Sequence, residues 1–300
     1  MNDHEHEDNV VLLKEVIQNS QKFAVFVGSG ASSPLGIKTW KKLLMDFVDR
    51  FGIEIDIEKS IYDKGYPQTA SEIYNLIGNH DDYINFLNDQ FEPTSCSYTS
   101  LHETILDNFT TIFTTNFDVA FENAFNYKQT GFNTQKFPNF DPFSLFETPT
   151  IVYLHGNNKE RKYVFRKEEY EIYYPSISGT DNGSFELENF LKNVFTRISL
   201  VFIGFSFDDG YFTKFFKKTL KEEALKEMKI HQDIFNVPNP KRTVPHFAIM
   251  GYEQSFDEEN KHSLIGIKDI GLRLILYKKG RYVEIEDLIK TIMPTRKSIN

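Results

Sequence analysis

Small polar residues cluster directly after short apolar runs at several places in the chain. The first cluster follows the apolar run 23–27 and consists of Gly28, Ser29, Gly30, Ala31 and Ser32. Glycines let a backbone approach a phosphate closely, and the amides that follow can donate hydrogen bonds to it. The third glycine of the dinucleotide fingerprint is missing, because Ser33 stands in its place. The cluster favours phosphate contact only modestly over a plain strand-to-helix turn that needs small residues.

Three further clusters carry amide, carboxylate, imidazole and hydroxyl groups. They follow the apolar runs 111–114, 150–154 and 200–203 and comprise Thr115, Asn116 and Asp118, then His155 with Gly156, then Gly204, Ser206 and Asp208. Each could have a local role, since Asx and serine side chains cap helices and neighbouring hydrogen bonds can satisfy a histidine. A histidine with an ordinary pKa of about 6.5 can also accept a proton near neutral pH.

Six apolar runs have the length and composition of buried strands, and helical patterns lie between most of them. The runs are 23–27, 111–114, 150–154, 200–203, 246–250 and 272–277. This alternation predicts an α/β, Rossmann-like parallel sheet with helices on both faces. Because ligands bind beyond the carboxyl ends of such strands, the four clusters are expected to converge on one crevice. Their composition predicts a nucleotide site that contains a titratable base.

Composition and charge narrow the class of protein further. Of the 300 residues, 43 are acidic and 34 basic, and the net charge of −9 argues against a global footprint for nucleic acid or an anionic membrane. The single cysteine, Cys96, excludes a disulfide within the chain and a multi-cysteine zinc site. Without a signal peptide or a membrane-length apolar run, a cytoplasmic protein is expected. We expect a flexible N-terminus over 1–8 and one domain over 9–300, with a helical insertion at roughly 52–108.

In order and spacing, the motifs resemble the sirtuin superfamily over roughly residues 20–280. The resemblance is carried by Gly28-Ser29-Gly30-Ala31-Ser32, Gly36-Ile37, Thr114-Thr115-Asn116-Phe117-Asp118, His155-Gly156 and Gly204-Phe205-Ser206. The segment from Gly36 to Trp40 is more similar to the sirtuin-like NAD hydrolases of bacterial phage defence than to the deacylases. Deacylases usually carry a four-cysteine zinc module, which one cysteine cannot supply, and Thr39-Trp40-Lys41 replaces their aspartate-phenylalanine-arginine run.

The resemblance implies that NAD is the substrate. One cysteine and scattered histidines supply no closed zinc set, so we expect the activity to need no metal. It implies that Asn116 holds ribose hydroxyls or water, that Asp118 lies near the nicotinamide carboxamide and that His155 acts as the base. Gly28, Ser29, Gly30, Ala31, Ser32 and Thr115 would belong to the NAD-binding surface, with Gly204 and Ser206 nearer the adenosine ribose. The alternatives are a sensor that holds NAD or ADP-ribose without turnover, an NAD-dependent protein deacylase and, less favoured, a dehydrogenase.

An enzyme that drains NAD needs control, because it would otherwise harm its own cell. We therefore expect a homo-oligomer, and the resemblance suggests a separately encoded ATPase or nucleic-acid-sensing protein as a partner in antiviral defence. Direct contact with nucleic acid or a membrane is not expected. Phe212, Phe215 and Phe216 on one predicted helix could offer an association surface, although a place in the core is the more ordinary role for phenylalanine.

Overall fold

A seven-stranded parallel sheet forms the centre of the protein. The computed structural model describes residues 3–19, 22–92, 97–129, 131–137, 139, 141, 145–180, 183–207, 209–235, 244–252 and 271–293. The strands are β1 (Phe23–Val27), β2 (Thr111–Thr114), β3 (Asn133–Lys136), β4 (Thr150–Tyr153), β5 (Gly156–Asn157), β6 (Lys162–Tyr163), β7 (Ser199–Ile203), β8 (Phe247–Tyr252) and β9 (Arg273–Lys278). The sheet has the order β3-β4-β2-β1-β7-β8-β9, and β5 and β6 form a separate antiparallel hairpin. The predicted parallel α/β sheet is confirmed.

Helices cover both faces of this sheet. They are α1 (Asp3–Asn19), α2 (Trp40–Phe51), α3 (Ile57–Lys64), α4 (Tyr66–Ile77), α5 (His80–Gln90), α6 (Ser100–Asn108), α7 (Ala120–Lys128), α8 (Lys167–Tyr173), α9 (Pro175–Ser178), α10 (Glu186–Arg197), α11 (Gly210–Phe235) and α12 (Tyr282–Ile292), with a 3-10 helix at Ser29–Leu35. Alternate side chains of β1 enter different cores, as the period of a strand requires. Ala24 and Phe26 pack with α10 and α11, whereas Val25 and Val27 pack with α1, α6, α7 and α12.

The core on the α10–α11 face is mainly aromatic. The ring centroid of Phe26 lies 5.1 Å from that of Phe202 and 4.9 Å from that of Phe212. Phe212, Phe215 and Phe216 are all buried, so they belong to this core and offer no association surface. The helical spacing of these three phenylalanines therefore reflects their packing against the sheet.

The predicted insertion at residues 52–108 divides between two cores. Helices α3, α4 and α5 pack with α2 in a helical module of their own, in which the Phe47 ring lies 4.1 Å from Phe86 and 5.0 Å from Tyr83. Helix α6 instead packs beneath the sheet with α7 and α12. Phe117 and Phe165 reach into the module core and tie the module to the carboxyl end of the sheet.

Helix α1 covers the outer edge of the sheet. It begins at Asp3, within the segment 1–8 that was expected to be flexible and before the apolar pattern that starts at Val10. The Asn9 side chain donates to the carbonyl oxygen of Leu274 at 2.9 Å, and His6 Nδ1 accepts from the amide of Leu276 at 3.1 Å. These contacts satisfy backbone groups of edge strand β9, which would otherwise be open to pairing.

The strand order reverses between β1 and β7. Strands β2, β4 and β3 lie on one side of β1, and β7, β8 and β9 lie on the other. In open α/β sheets this reversal opens a crevice at the carboxyl ends of the strands. The polar clusters that follow β1, β2, β4 and β7 all lie at this end.

Candidate active site

An open pocket lies where the helical module meets the carboxyl ends of β1, β2, β4 and β7. The sheet side of the pocket is largely polar, and the module side is largely apolar and aromatic. Its walls are formed by Gly28, Ser29, Ile37, Lys38, Trp40, Leu43, Tyr66, Pro67, Phe91, Thr115, Asn116, Phe117, Asp118, His155, Phe165, Tyr170, Phe205, Ser206 and Asp209. A pocket that combines apolar walls with a few convergent polar groups has the character of a small-molecule site.

Asn116 lines this pocket, and its side-chain carbonyl oxygen has no partner among the described residues. Its Nδ2 donates to the carbonyl oxygen of Gly28 at 3.2 Å and to Ser32 Oγ at 3.3 Å. Its backbone amide donates to the Thr114 hydroxyl, which in turn donates to the Val27 carbonyl oxygen. Oδ1 is buried and has no hydrogen-bond partner among the described residues. Because a buried polar atom without a partner is costly, this oxygen is prepared for a donor from a ligand or water.

Asp118 also lines the pocket and has one carboxylate oxygen without a partner. Its Oδ1 accepts from the Ala120 amide at 3.1 Å at the start of α7, whereas Oδ2 is buried without a partner in the described part of the chain. Burial raises the pKa of Asp118, and the Ala120 amide and the Ser32 hydroxyl act in the opposite direction. The carboxyl can therefore accept a hydrogen bond from a ligand through Oδ2.

His155 follows β4 and is buried between two tyrosines. Its Nε2 shares a 2.8 Å hydrogen bond with the Tyr174 hydroxyl, and the Tyr170 ring meets the imidazole edge-on at 5.5 Å. Burial lowers the pKa of His155 to about 3. The ordinary pKa near 6.5 expected from the sequence is therefore corrected, because desolvation disfavours the imidazolium form. At neutral pH His155 is an uncharged hydrogen-bonding group.

The glycines after β1 and β7 fit against each other. The Gly28 amide donates to the Ile203 carbonyl oxygen at 3.0 Å, and the Gly30 amide donates to the Gly204 carbonyl oxygen at 2.8 Å. A Cβ on Gly28 would lie 2.6 Å from the Gly204 oxygen, and one on Gly204 would lie 2.5 Å from the Ala31 nitrogen. Close packing of two loops thus requires these glycines, in addition to any approach of a phosphate.

The structure gathers most, but not all, of the predicted site residues at the pocket. Those that line it are Gly28, Ser29, Thr115, Asn116, Asp118, His155 and Ser206. Gly30, Ala31, Ser32 and Gly204 are absent from its walls, and Ala31 and Ser32 are buried. Ser32 touches the site indirectly, through its hydrogen bond with Asn116. Asp208 lies outside the described residues.

Asp209 is a pocket residue that sequence reasoning missed. Its Oδ1 accepts from the amides of Tyr211 and Phe212 and so caps α11, and its Oδ2 accepts from the Tyr170 hydroxyl at 2.8 Å. Desolvation raises its pKa to about 6. The available signal was a second acidic residue after β7, immediately before the helix that follows.

The module supplies an aromatic wall that the strand pattern did not indicate. The Trp40 ring stacks on Phe165 with 4.4 Å between centroids, and Tyr66 lies 5.6 Å from Trp40. Trp40 comes from α2 and Phe165 from the segment after the β5–β6 hairpin, so the wall is assembled from distant parts of the chain. A planar ring or an apolar group of a ligand could pack against it.

The sequence model of the SIR2-like domain family matches residues 110–270, just over half of the chain. The chain belongs to this family. The matched part of the SIR2-like domain contains Asn116, Asp118 and His155, whereas the glycine loop after β1 precedes it. Membership of the SIR2-like family fits NAD-utilising activity in general and implies NAD as the substrate. A search of curated proteins finds no relative that matches the chain.

Within the described ranges, no three histidine, cysteine, aspartate or glutamate side chains are grouped so that they could hold a metal ion. Among the helices of the same ranges, none combines the length and apolarity needed to cross a membrane.

Proposed function

We propose that this protein hydrolyses NAD to nicotinamide and ADP-ribose. The observation that carries the proposal is that one pocket is lined both by Asn116, whose carbonyl oxygen has no partner, and by His155, whose imidazole is uncharged at neutral pH. Family membership supports NAD as the occupant. The two polar groups favour cleavage over simple storage, because both can accept hydrogen bonds from ribose hydroxyls or water beside the bond to be broken.

The reaction breaks the bond between nicotinamide N1 and ribose C1′, and the bonding electron pair leaves with neutral nicotinamide. Because the leaving group starts as a pyridinium cation, no acid has to protonate it. The ribose passes through a state of oxocarbenium character, as in glycoside cleavage. The oxygen of a water molecule then bonds to C1′ and loses a proton, which yields ADP-ribose.

Asn116 contacts the ribose side of the bond between nicotinamide and ribose, and Asp118 contacts the nicotinamide side. Asn116 Oδ1 accepts a hydrogen bond from a ribose hydroxyl or from the water, and its amide is already oriented by Gly28 and Ser32. Asp118 Oδ2 accepts from the N–H of the nicotinamide carboxamide. Groups fixed in place before the reaction stabilise developing charge without the cost of reorganisation.

His155 acts as an acceptor that becomes a base only during the reaction. With a pKa lowered to about 3, it takes no proton from an ordinary hydroxyl at neutral pH. Positive charge on the ribose acidifies the neighbouring hydroxyl or the attacking water, so the proton can then move to the imidazole. Neutral His155 also avoids repelling the cationic nicotinamide of bound NAD.

The enzyme works in this proposal as a cytoplasmic effector of bacterial antiviral defence. The resemblance of the segment from Gly36 to Trp40 supports this role, and control comes from self-association or from a separately encoded ATPase or sensor. Several apolar side chains are exposed and available for such contacts, namely Val11, Tyr62, Leu76, Tyr127 and Phe185. We expect a homo-oligomer by light scattering and a large change in NAD turnover with the partner. A monomer that is fully active alone, and whose NAD turnover does not change when products of neighbouring genes are added, would contradict the proposed control.

Incubation with NAD and identification of the products tests the reaction. Nicotinamide and ADP-ribose in equal amounts are expected from the purified chain, with and without its genetic partner. NAD that is bound but unchanged indicates a sensor. Nicotinamide release that requires an acetylated peptide indicates a deacylase, and absorbance of NADH indicates a dehydrogenase.

A further inference from the structure

His102 lies behind the pocket, on helix α6, and is completely buried. Nothing in the sequence pattern links it to the strand-end clusters. In the structure both of its ring nitrogens make hydrogen bonds, one to the start of its own helix and the other to Ser32 beneath Asn116. Because both ring nitrogens are bonded, His102 can couple the start of helix α6 to the orientation of Ser32.

The contacts of His102 define which nitrogen carries its proton. The Thr99 amide donates to Nδ1 at 3.2 Å, and the Thr99 hydroxyl lies 2.8 Å from the same atom. A backbone N–H can only donate, so Nδ1 must be the unprotonated, accepting nitrogen. Burial lowers the pKa of His102 to about 4, so the ring is neutral at physiological pH. Its single proton therefore lies on Nε2.

That proton points to Ser32. His102 Nε2 lies 3.4 Å from Ser32 Oγ, and the same oxygen accepts from Asn116 Nδ2 at 3.3 Å. Two incoming donors occupy both lone pairs of the hydroxyl oxygen. The Ser32 hydroxyl therefore links the His102 ring to the Asn116 amide.

We propose that His102 is a positioning residue of the pocket: its Nε2 proton orients the Ser32 hydroxyl, and Ser32 then holds the Asn116 amide in place. Its effect on turnover rests on the proposed NAD hydrolysis. The residue touches no substrate and acts only through Ser32. It gives the reaction a contribution from a helix that lies outside the residues matched by the family.

A competing role is purely local. Thr99 and His102 form a capping box at the start of α6, in which the histidine accepts at Nδ1 and needs no donor at Nε2. Capping of this kind stabilises a helix without regard to the pocket. The two roles use different nitrogens of the ring, and this difference makes them separable by substitution.

Two amide substitutions each mimic one nitrogen. His102→Gln extends an amide N–H towards the position of Nε2 and loses the acceptor for Thr99. His102→Asn keeps an acceptor near the position of Nδ1 and cannot reach Ser32. If His102 positions the site, His102→Asn lowers kcat by about 10- to 100-fold with a smaller change in KM, whereas His102→Gln stays within about threefold of the parent.

The capping role predicts a different result. In that case neither variant changes kcat, and His102→Gln shows the lower Tm. Ser32→Ala provides a second route should His102→Asn fold poorly, because it removes the same link from the other side and is expected to lose kcat to a similar degree. The double variant is expected to be no worse than either single one, since both changes break one chain of contacts. Independent, multiplicative losses would overturn the proposal.

His246 is a matched control. It is buried like His102, its Nε2 donates to the Phe195 carbonyl oxygen at 2.9 Å and its Nδ1 accepts from the Leu200 amide at 3.3 Å, but it lies away from the pocket walls. His246→Asn and His246→Gln are expected to lower Tm and leave kcat unchanged. If they lower kcat as much as His102→Asn does, the effect is general loss of packing and the positioning role is wrong.

A spectroscopic measurement separates this proposal from the proposed function. In ¹⁵N-labelled protein, the imidazole nitrogen shifts of His102 are expected to show a proton on Nε2 and none on Nδ1, whether or not NAD is cleaved. A proton on Nδ1 would overturn the positioning role. Should the parent chain bind NAD without cleaving it, calorimetry on the same variants replaces kcat with NAD affinity. Equal affinities of His102→Asn and the parent would then also overturn it.

Discussion

The hydroxyl of Tyr174 lies 2.8 Å from Nε2 of His155, and both side chains are buried. No other hydrogen bond joins His155 to a side chain in the described part of the protein, so Tyr174 alone holds the ring by a polar contact. Because this bond occupies Nε2, Nδ1 is the nitrogen left to face a ligand. In the proposed reaction, the tyrosine thus determines which nitrogen of the imidazole is left to act.

Replacement of this tyrosine tests the relationship. Tyr174→Phe keeps the ring and its packing but leaves Nε2 of His155 without a partner. We expect kcat for NAD cleavage to fall by about fivefold, since a lost hydrogen bond to a neutral group is worth about 1 kcal/mol. Tyr173→Phe is a matched control, because that ring is only partly buried and packs on Phe137. Equal kcat values for the two variants would contradict a role for Tyr174.

Asn116 and His155 are expected to be indispensable for cleavage. We expect Asn116→Ala and His155→Ala each to lower kcat by about two to four orders of magnitude, the usual effect of removing a group that takes part in proton transfer or charge stabilisation. Asn193→Ala, on the exposed side of α10, is the control and should match the parent. Circular dichroism establishes that each variant is folded. Near-parental turnover in either site variant would refute the assignment.

The contact between the two glycine loops predicts a steric effect. In Gly28→Ala the new methyl group would lie 2.6 Å from the Gly204 carbonyl oxygen and 2.8 Å from the Phe205 Cα, both of which belong to the backbone. We expect a loss of roughly 1 to 3 kcal/mol in the free energy of unfolding, together with weaker NAD binding. Gly131→Ala adds its methyl group where nothing lies within 4 Å and should be neutral. Urea denaturation of both variants measures the difference.

Stability is expected to fall in mild acid. Burial lowers the pKa values of His102 and His246 to about 4 and that of His155 to about 3. An unfolded histidine titrates near 6.5, so between that pH and about 4 the unfolded chain binds protons that the folded chain does not. The contribution of the uncharged histidines to the free energy of unfolding is therefore complete above about pH 6.5 and is lost as the pH falls below it.

The titration of Asp209 changes the free energy of unfolding in the opposite direction. Its pKa is raised to about 6, so below that pH the folded chain takes up a proton that the unfolded chain releases, which offsets part of the histidine effect. On balance we expect the free energy of unfolding to drop by about 1 to 3 kcal/mol between pH 6 and pH 5. Urea midpoints at the two pH values measure it, and His246→Gln should reduce the slope. A midpoint independent of pH in this interval would contradict the prediction.

The sheet was largely predictable because its strands are buried on both faces. The run Thr111–Thr114 coincides with β2, and Phe23–Val27 coincides with β1. Strand β3 was missed, since its residues Asn133–Lys136 are polar and partly exposed at the edge of the sheet. An apolar pattern indicates a buried strand, and an edge strand such as β3 is buried too little to show one.

The parts of the site that sequence could not predict depend on distant packing. Asn116 and His155 follow strands, so the rule for strand ends brings them together. Trp40 and His102 belong to helices that the chain reaches before β2, and nothing local indicates that they approach the pocket. Likewise the pKa of His155 depends on Tyr170 and Tyr174 around it, so the ordinary value was the wrong expectation.

The hydrogen bond from Asn116 to the Gly28 carbonyl oxygen has a consequence for truncated forms of the protein. Asn116 lies within the stretch recognised by the family, residues 110–270, and Gly28 lies outside it. A truncated product limited to that stretch would keep Asn116 and His155 yet lose the carbonyl that orients the amide, along with the β1 strand between β2 and β7. Expression trimmed to the matched stretch would therefore yield the proposed catalytic side chains without their scaffold.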